Sequence, residues 1–147
     1  MAYSGSKAQT GQGTTLSIGA TPTLVGEITS GPKGTGRKNN TTDVTNLDST
    51  AEEFKGTIPS SGSWEIEFSR VGDDAGQTAM ETAFAAASTE SFAIQFPKTA
   101  AQTTSGDKIT FDAVIEQLNY SVNGPKDVIK GSATLKVSGP LTITPGT

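Results

Sequence analysis

The sequence contains no cysteine and no histidine. Those two absences remove the thiolate nucleophile, the imidazole general base and the usual ligands of zinc, copper and haem. Carboxylate pairs, Ser with Lys, and oxygen-ligated Ca²⁺ or Mg²⁺ are the chemistry that remains. Positive charge is also scarce. Eleven Lys and Arg stand against 15 Asp and Glu, a net charge of −4, whereas nucleic-acid binding needs clustered cations to meet phosphates. Aromatic residues make up 6% of the chain, and no apolar run approaches the roughly 20 residues of a membrane helix. Polar Met1 to Gly13 lacks the apolar stretch of a secretory leader. These absences predict a protein that is not an enzyme, binds no cofactor or metal, and has no membrane partner.

What is present is a thin set of core formers in a chain of 147 residues, 33% hydrophobic. That length suits one domain, and so small a core gains much by burying surface against neighbours. Charge is unevenly placed: residues 41 to 97 carry ten acids with only Lys55 and Arg70 as bases, while residues 1 to 40 carry Lys7, Lys33, Arg37 and Lys38 against Glu27. Such asymmetry suits either head-to-tail contact between copies or a solvated mixed surface.

Local patterning predicts a single mainly β domain over residues 1–147. Residues 1–13 form a flexible arm. Leu16 and Ile18 alternate with Ser17, and Thr23 to Ile28 makes a hairpin with them across the Thr21-Pro22 turn. Residues 29–62 are dominated by Gly, Thr, Asn, Ser and charge, and read as a long loop of the kind that needs a functional explanation. Over Ser63 to Ser69, Trp64, Ile66 and Phe68 point one way and Glu65 and Glu67 the other, as in a sheet with one buried face. Asp74 caps a helix over residues 74–88, with Gln77 as its third residue and Met80, Ala83, Phe84 and Ala87 at helical spacing. Glu90 to Phe96 resumes a strand. Lys108 to Val122, with Ile109, Phe111, Ala113 and Ile115 on one face, turns at Asn123-Gly124-Pro125 into Val128 to Val137, where Ile129, Ala133, Leu135 and Val137 share a face. Gly139-Pro140 ends that pairing and leaves residues 139–147 as a tail. Trp64, Ile66, Phe68, Phe84, Phe111 and Leu135 are the predicted core.

Three constellations resemble sites. Gly31 to Lys38 has the glycines of a phosphate loop, yet Arg37 stands where Lys is needed and Asn39 where Ser or Thr would meet Mg²⁺. Asp43, Asp48, Glu52 and Glu53 lack the order and the glycine of a calcium loop. Glu65 and Glu67 are a carboxylate pair about 7 Å apart on one strand, for which a solvated polar face is the simpler account.

The order of these features is similar to a known family. A strand ending Gly26-Glu27-Ile28-Thr29-Ser30-Gly31-Pro32 precedes the loop Asp43-Val44-Thr45-Asn46-Leu47-Asp48-Ser49-Thr50. Gly62-Ser63-Trp64-Glu65-Ile66-Glu67-Phe68, one helix, and Asp127 to Gly139 (DVIKGSATLKVSG) follow. The arrangement resembles the major tail tube proteins of long-tailed, non-contractile bacteriophages across nearly the whole chain. The resemblance implies a β-sandwich or barrel-like fold with one flanking helix, assembling into hexameric rings with a continuous inner β-barrel. The rings stack into a tube that conducts the genome without binding it. It further implies a virion tail protein made in the host cytoplasm, whose partners are its own copies and the tape-measure, tail-tip and tail-terminator proteins. Glu65 and Glu67 become candidates for lining the lumen. Lys33, Arg37, Lys38, Asp43, Asp48, Glu52 and Glu53 become candidates for contacts between rings. The basic stretch Gly34 to Asn40 has no counterpart in the family. The rival class is a β-sandwich binding module that presents residues 29–62 to a carbohydrate or host-surface protein.

Overall fold

Alternation of apolar and polar side chains sets the layout of the sheet. The computed structural model describes residues 8–147, with elements in the order β1 (Thr15–Ile18), β2 (Thr23–Leu24), β3 (Ile28–Gly34), β4 (Thr41–Asp43), β5 (Phe54–Gly56), β6 (Ser63–Ser69), α1 (Ala75–Ala86), β7 (Thr89–Gln95), β8 (Lys108–Ser121) and β9 (Lys130–Thr144). Seven strands form one antiparallel sheet in the order β2-β1-β7-β8-β9-β6-β3, and β4 pairs separately with β5. Most of the predicted N-terminal arm lies outside the described residues; within its described part, Gln9 Nε2 donates to the Pro97 carbonyl at 2.9 Å.

β8 and β9 form a long hairpin whose two ends serve different neighbours. Lys108 to Val114 of β8 pair with β7, whereas Lys130 to Lys136 of β9 pair with β6. Register shifts between Thr110 and Asp112, and between Ile115 and Gln117, bend the hairpin. The sheet thereby curls into a half-barrel with one flanking helix, the barrel-like form that the family resemblance implies. Its concave face buries Leu16, Ile66, Phe68, Phe92, Phe111 and Leu135. Phe111 stacks on Phe92 of β7 at 5.8 Å and on Trp64 of β6 at 5.9 Å. Trp64 is half-buried, and its indole N–H is buried with no acceptor among the described residues.

The helix closes the concave side. Asp74 accepts from the Gln77 amide at 2.9 Å, which makes it the N-cap, and Ala87 ends the helix in the left-handed region with φ 50°. Gly76, Gln77, Met80 and Ala83 are the buried stripe. Phe84 is corrected by this geometry: it is 40% exposed, because the helix seats a narrow stripe and turns its next position to the rim. A side chain at Gly76 would collide with the Leu24 carbonyl, so glycine sets how closely the chain before β3 approaches the helix. Gly26 is held there through both backbone groups, its N–H by Asp74 Oδ2 at 3.2 Å and its carbonyl by Gln77 Nε2 at 3.1 Å.

Three further boundaries differ from the sequence expectation. The second strand stops at Leu24, since Gly26 is engaged by the helix and Glu27 takes φ 59°. Residues 139–147 are not a free tail: β9 runs on to Thr144, with Ile143 opposite Ile109, and the shift between Ser138 and Thr142 absorbs the non-donating Pro140 and Gly139 at φ 86°. Beyond it, the amides of Thr103, Thr104 and Ser105 converge on the Thr147 oxygen at 2.7 to 3.2 Å. Ile129 precedes β9 and is exposed instead of facing the core.

Candidate assembly surfaces

Residues 29–62 build a protruding β arm instead of a loop. Its root is the pairing of β3 with β6, from Ile28 opposite Phe68 to Gly34 opposite Trp64. The two chains then cross at Gly36 and Gly62, where a Cβ on Gly62 would strike the Gly36 carbonyl. A bridge between Lys38 and Ser60 and the β4–β5 ladder carry the arm outward. Residues 33–60 are exposed throughout, apart from half-buried Ser49. No apolar core holds the arm, so its order comes from backbone pairing and from side chains that bond to nearby backbone.

The tip is the densest example. Asp43 Oδ1 accepts from the Thr45 amide at 2.9 Å, Asn46 Oδ1 from the Asp48 amide at 2.9 Å, and Thr45 Oγ1 from the Glu53 amide at 2.8 Å. Ser49 Oγ donates to Glu53 Oε2 at 2.8 Å. The Thr45 hydroxyl and then its amide hold the Asp43 carboxyl below the usual aspartate range. Among the described residues, no three acids gather into a group able to hold a metal ion, so Asp43, Asp48, Glu52 and Glu53 are a spread of surface charge on the tip. Val44, Leu47, Phe54 and Ile58 are exposed on the same arm, Leu47 completely at 105%.

The basic stretch finds its place at the root. Arg37 and Lys38 line a groove with Pro59, Ser60, Ser61, Pro140 and Leu141, and Ser61 Oγ donates to the Gly139 carbonyl at 2.9 Å. Lys33 lies one step nearer the sheet, opposite Glu65. Glu65 and Glu67 are exposed on the face away from the core, beside Thr134 and Ser132 of β9 and above Ser30 of β3. The inter-ring candidates therefore divide into a basic root and an acidic tip, and the root reaches the Glu65 and Glu67 face through Lys33.

Sequence reasoning passed over the opposite end of the molecule. There the β8–β9 turn exposes Val122, Val128 and Ile129 together with Lys126, Asp127 and Lys130. Arg70 braces it: its amide donates to the Ile129 carbonyl at 2.7 Å, and its guanidinium lies 5.3 Å from the centre of the Tyr120 ring. Tyr120 donates to Glu81 of the helix at 2.7 Å. Burial raises the Tyr120 pKa, with the Glu81 hydrogen bond and charge adding to it and Arg70 opposing. Consecutive apolar residues beside a Pro-Lys-Asp turn are the signal that locates this patch.

No family model matches the chain, and no curated protein matches it by sequence. Solved structures do. A chain in the virion of a native gene transfer agent particle is 15% identical, over 93% of this chain and 99% of its own, with a TM-score of 0.70. A chain in the anti-feeding prophage baseplate is 10% identical, over 95% and 97%, also at 0.70. The SPP1 tail tube is 18% identical, over 94% and 79%, at 0.61. At such identities the likeness shows the fold, which is the tail-tube fold over 93 to 95% of the chain.

Proposed function

We propose that this chain is a structural virion protein whose copies close into hexameric rings and stack into a tail tube, the conduit for genome delivery. The observation that carries the reading is the likeness to the SPP1 tail tube over 94% of the chain, together with an exposed arm that contributes nothing to the monomer's core. The arm then serves contacts between copies. The polar face of the half-barrel, with Glu65 and Glu67, lines the channel, where carboxylates repel a passing phosphate backbone. A tape-measure protein inside the tube and tip and terminator proteins at its ends complete the set of partners. A binding module is the weaker reading, because recognition loops rely on aromatic anchors and the arm offers Phe54 alone.

Electron microscopy of the concentrated protein tests the proposal. Hollow tubes are the expected result. Monomers alone across concentration, salt and seeding overturn it.

A further inference from the structure

The arm tip and the β8–β9 turn lie at opposite ends of the molecule. β3 runs parallel to β9, since both are antiparallel to β6. Ile28 and Lys130 therefore mark the same end, and the arm leaves from the other. Bulges in β3 confine Ile28 to Gly34 to the span from Phe68 to Trp64 of β6, and with the stretch on to Val44 the chain can advance up to about 45 Å from the Lys130 end at about 3.3 Å per residue. One copy cannot bring its own two ends together.

Those ends are complementary. The tip carries Asp43, Asp48, Glu52 and Glu53 against one cation, Lys55. The turn carries Lys126 and Lys130, with Arg70 behind them, against one acid, Asp127. Each charged set shares its segment with exposed apolar side chains, Val44, Leu47 and Phe54 at the tip and Val122, Val128 and Ile129 at the turn. Apolar groups accompanied by opposite charges are the pattern of a specific interface, with charge fixing register and burial supplying affinity.

We infer that the arm tip of one copy seats against the β8–β9 turn of a second copy, Val44, Leu47 and Phe54 packing on Val122, Val128 and Ile129 while the tip carboxylates face Lys126 and Lys130. The contact is heterologous, so a docked pair keeps one free turn and one free tip, and addition continues head to tail. The inference rests on the tube reading and adds the surface that receives the arm.

The absence of cysteine makes the test clean. A Leu47→Cys protein and a size-tagged Val128→Cys protein are mixed and oxidised. A covalent heterodimer in the mixture, with little homodimer from either alone, is the expected result; tip-to-tip homodimers of the Leu47→Cys protein overturn the inference. In parallel, Glu52→Lys with Glu53→Lys should weaken association at least about tenfold at low salt. Mixing that variant with one carrying Lys126→Glu and Lys130→Glu should restore it. If wild-type tubes form but the heterodimer does not, the docking surface is wrong and the tube reading stands. If the heterodimer forms without tubes, the docking stands and the tube reading falls. If neither forms, both fall.

Discussion

Phe68 lies across Gly131 so closely that a Cβ on that glycine would sit 2.5 Å from the Cε2 and Cζ atoms of the ring. The two residues are cross-strand partners of β6 and β9, and Phe68 is 1% exposed, so the ring has nowhere to retreat. Gly131→Ala should therefore destabilise the protein by about 1–3 kcal/mol, the cost of overpacking a filled core. Urea unfolding measures it. A midpoint unchanged from wild type would show that the ring can move aside.

Gln77 is buried and uses both ends of its amide. Oε1 accepts from the Val71 amide at 2.9 Å and from Arg70 at 3.4 Å, and Nε2 donates to the Gly26 and Ser69 carbonyls at 3.1 and 3.0 Å. It ties the entry of β3 and the exit of β6 to the helix. Gln77→Ala leaves several buried partners unmet and should cost about 3 kcal/mol. Gln77→Glu places a carboxylate against two carbonyls and should cost more. Denaturation of both variants at neutral pH gives the order; Gln77→Glu as stable as wild type would contradict this role.

Phe84 and Phe111 should respond oppositely to truncation. Phe111→Ala removes the middle ring of the aromatic stack and should cost about 3–5 kcal/mol, while Phe84→Ala on the helix rim should stay within about 1 kcal/mol. Thermal melts of the two variants separate the cases. Equal losses would place Phe84 in the core after all.

Tyr120 gives the protein an alkaline limit. Its folded pKa is raised, first by burial and then by Glu81, so folding favours the protonated phenol. The stabilisation is whole below the unfolded value of about 10 and is lost as pH rises through the higher folded value. Wild-type stability should be level from pH 7 to 9 and decline above about 10, with Tyr120→Phe showing a smaller decline. Parallel declines in the two proteins would remove Tyr120 as the cause.

Replacing Glu65 and Glu67 together by Lys tests the channel face. Both side chains are exposed on a face that contributes nothing to the core, so folding and assembly should survive. The expected outcome is tubes that retain DNA or slow its passage, most strongly at low salt where screening is weakest. Delivery at the wild-type rate in low salt would place the pair outside the channel.

The parts of this fold that are legible in the sequence are those written in periodicity. Trp64, Glu65, Ile66, Glu67 and Phe68 alternate as a half-buried strand must, and Asp74 with Gln77 announces the helix start. Phe84 misleads because spacing from Met80 says that it shares a face, not how wide a face is seated. Gly139-Pro140 reads as a stop, yet a bulge lets β9 pass through it. The arm is hardest to read, since Thr45, Asn46 and Ser49 order it by bonding to backbone, and such bonds leave no hydrophobic rhythm. A stretch rich in β-branched residues, Thr41, Thr42, Val44 and Thr45, is the trace that they do leave.

Because residues 33–60 lie outside the core, the arm proposed to join copies is written in different letters from those that fold the sheet. A lineage can rewrite the arm, and with it the choice of which copies fit together, while the half-barrel tolerates the change. Two such proteins sharing one cell could then diverge until each polymerises only with its own kind. Their common ancestry would survive in the shape of the sheet long after it had faded from the residues.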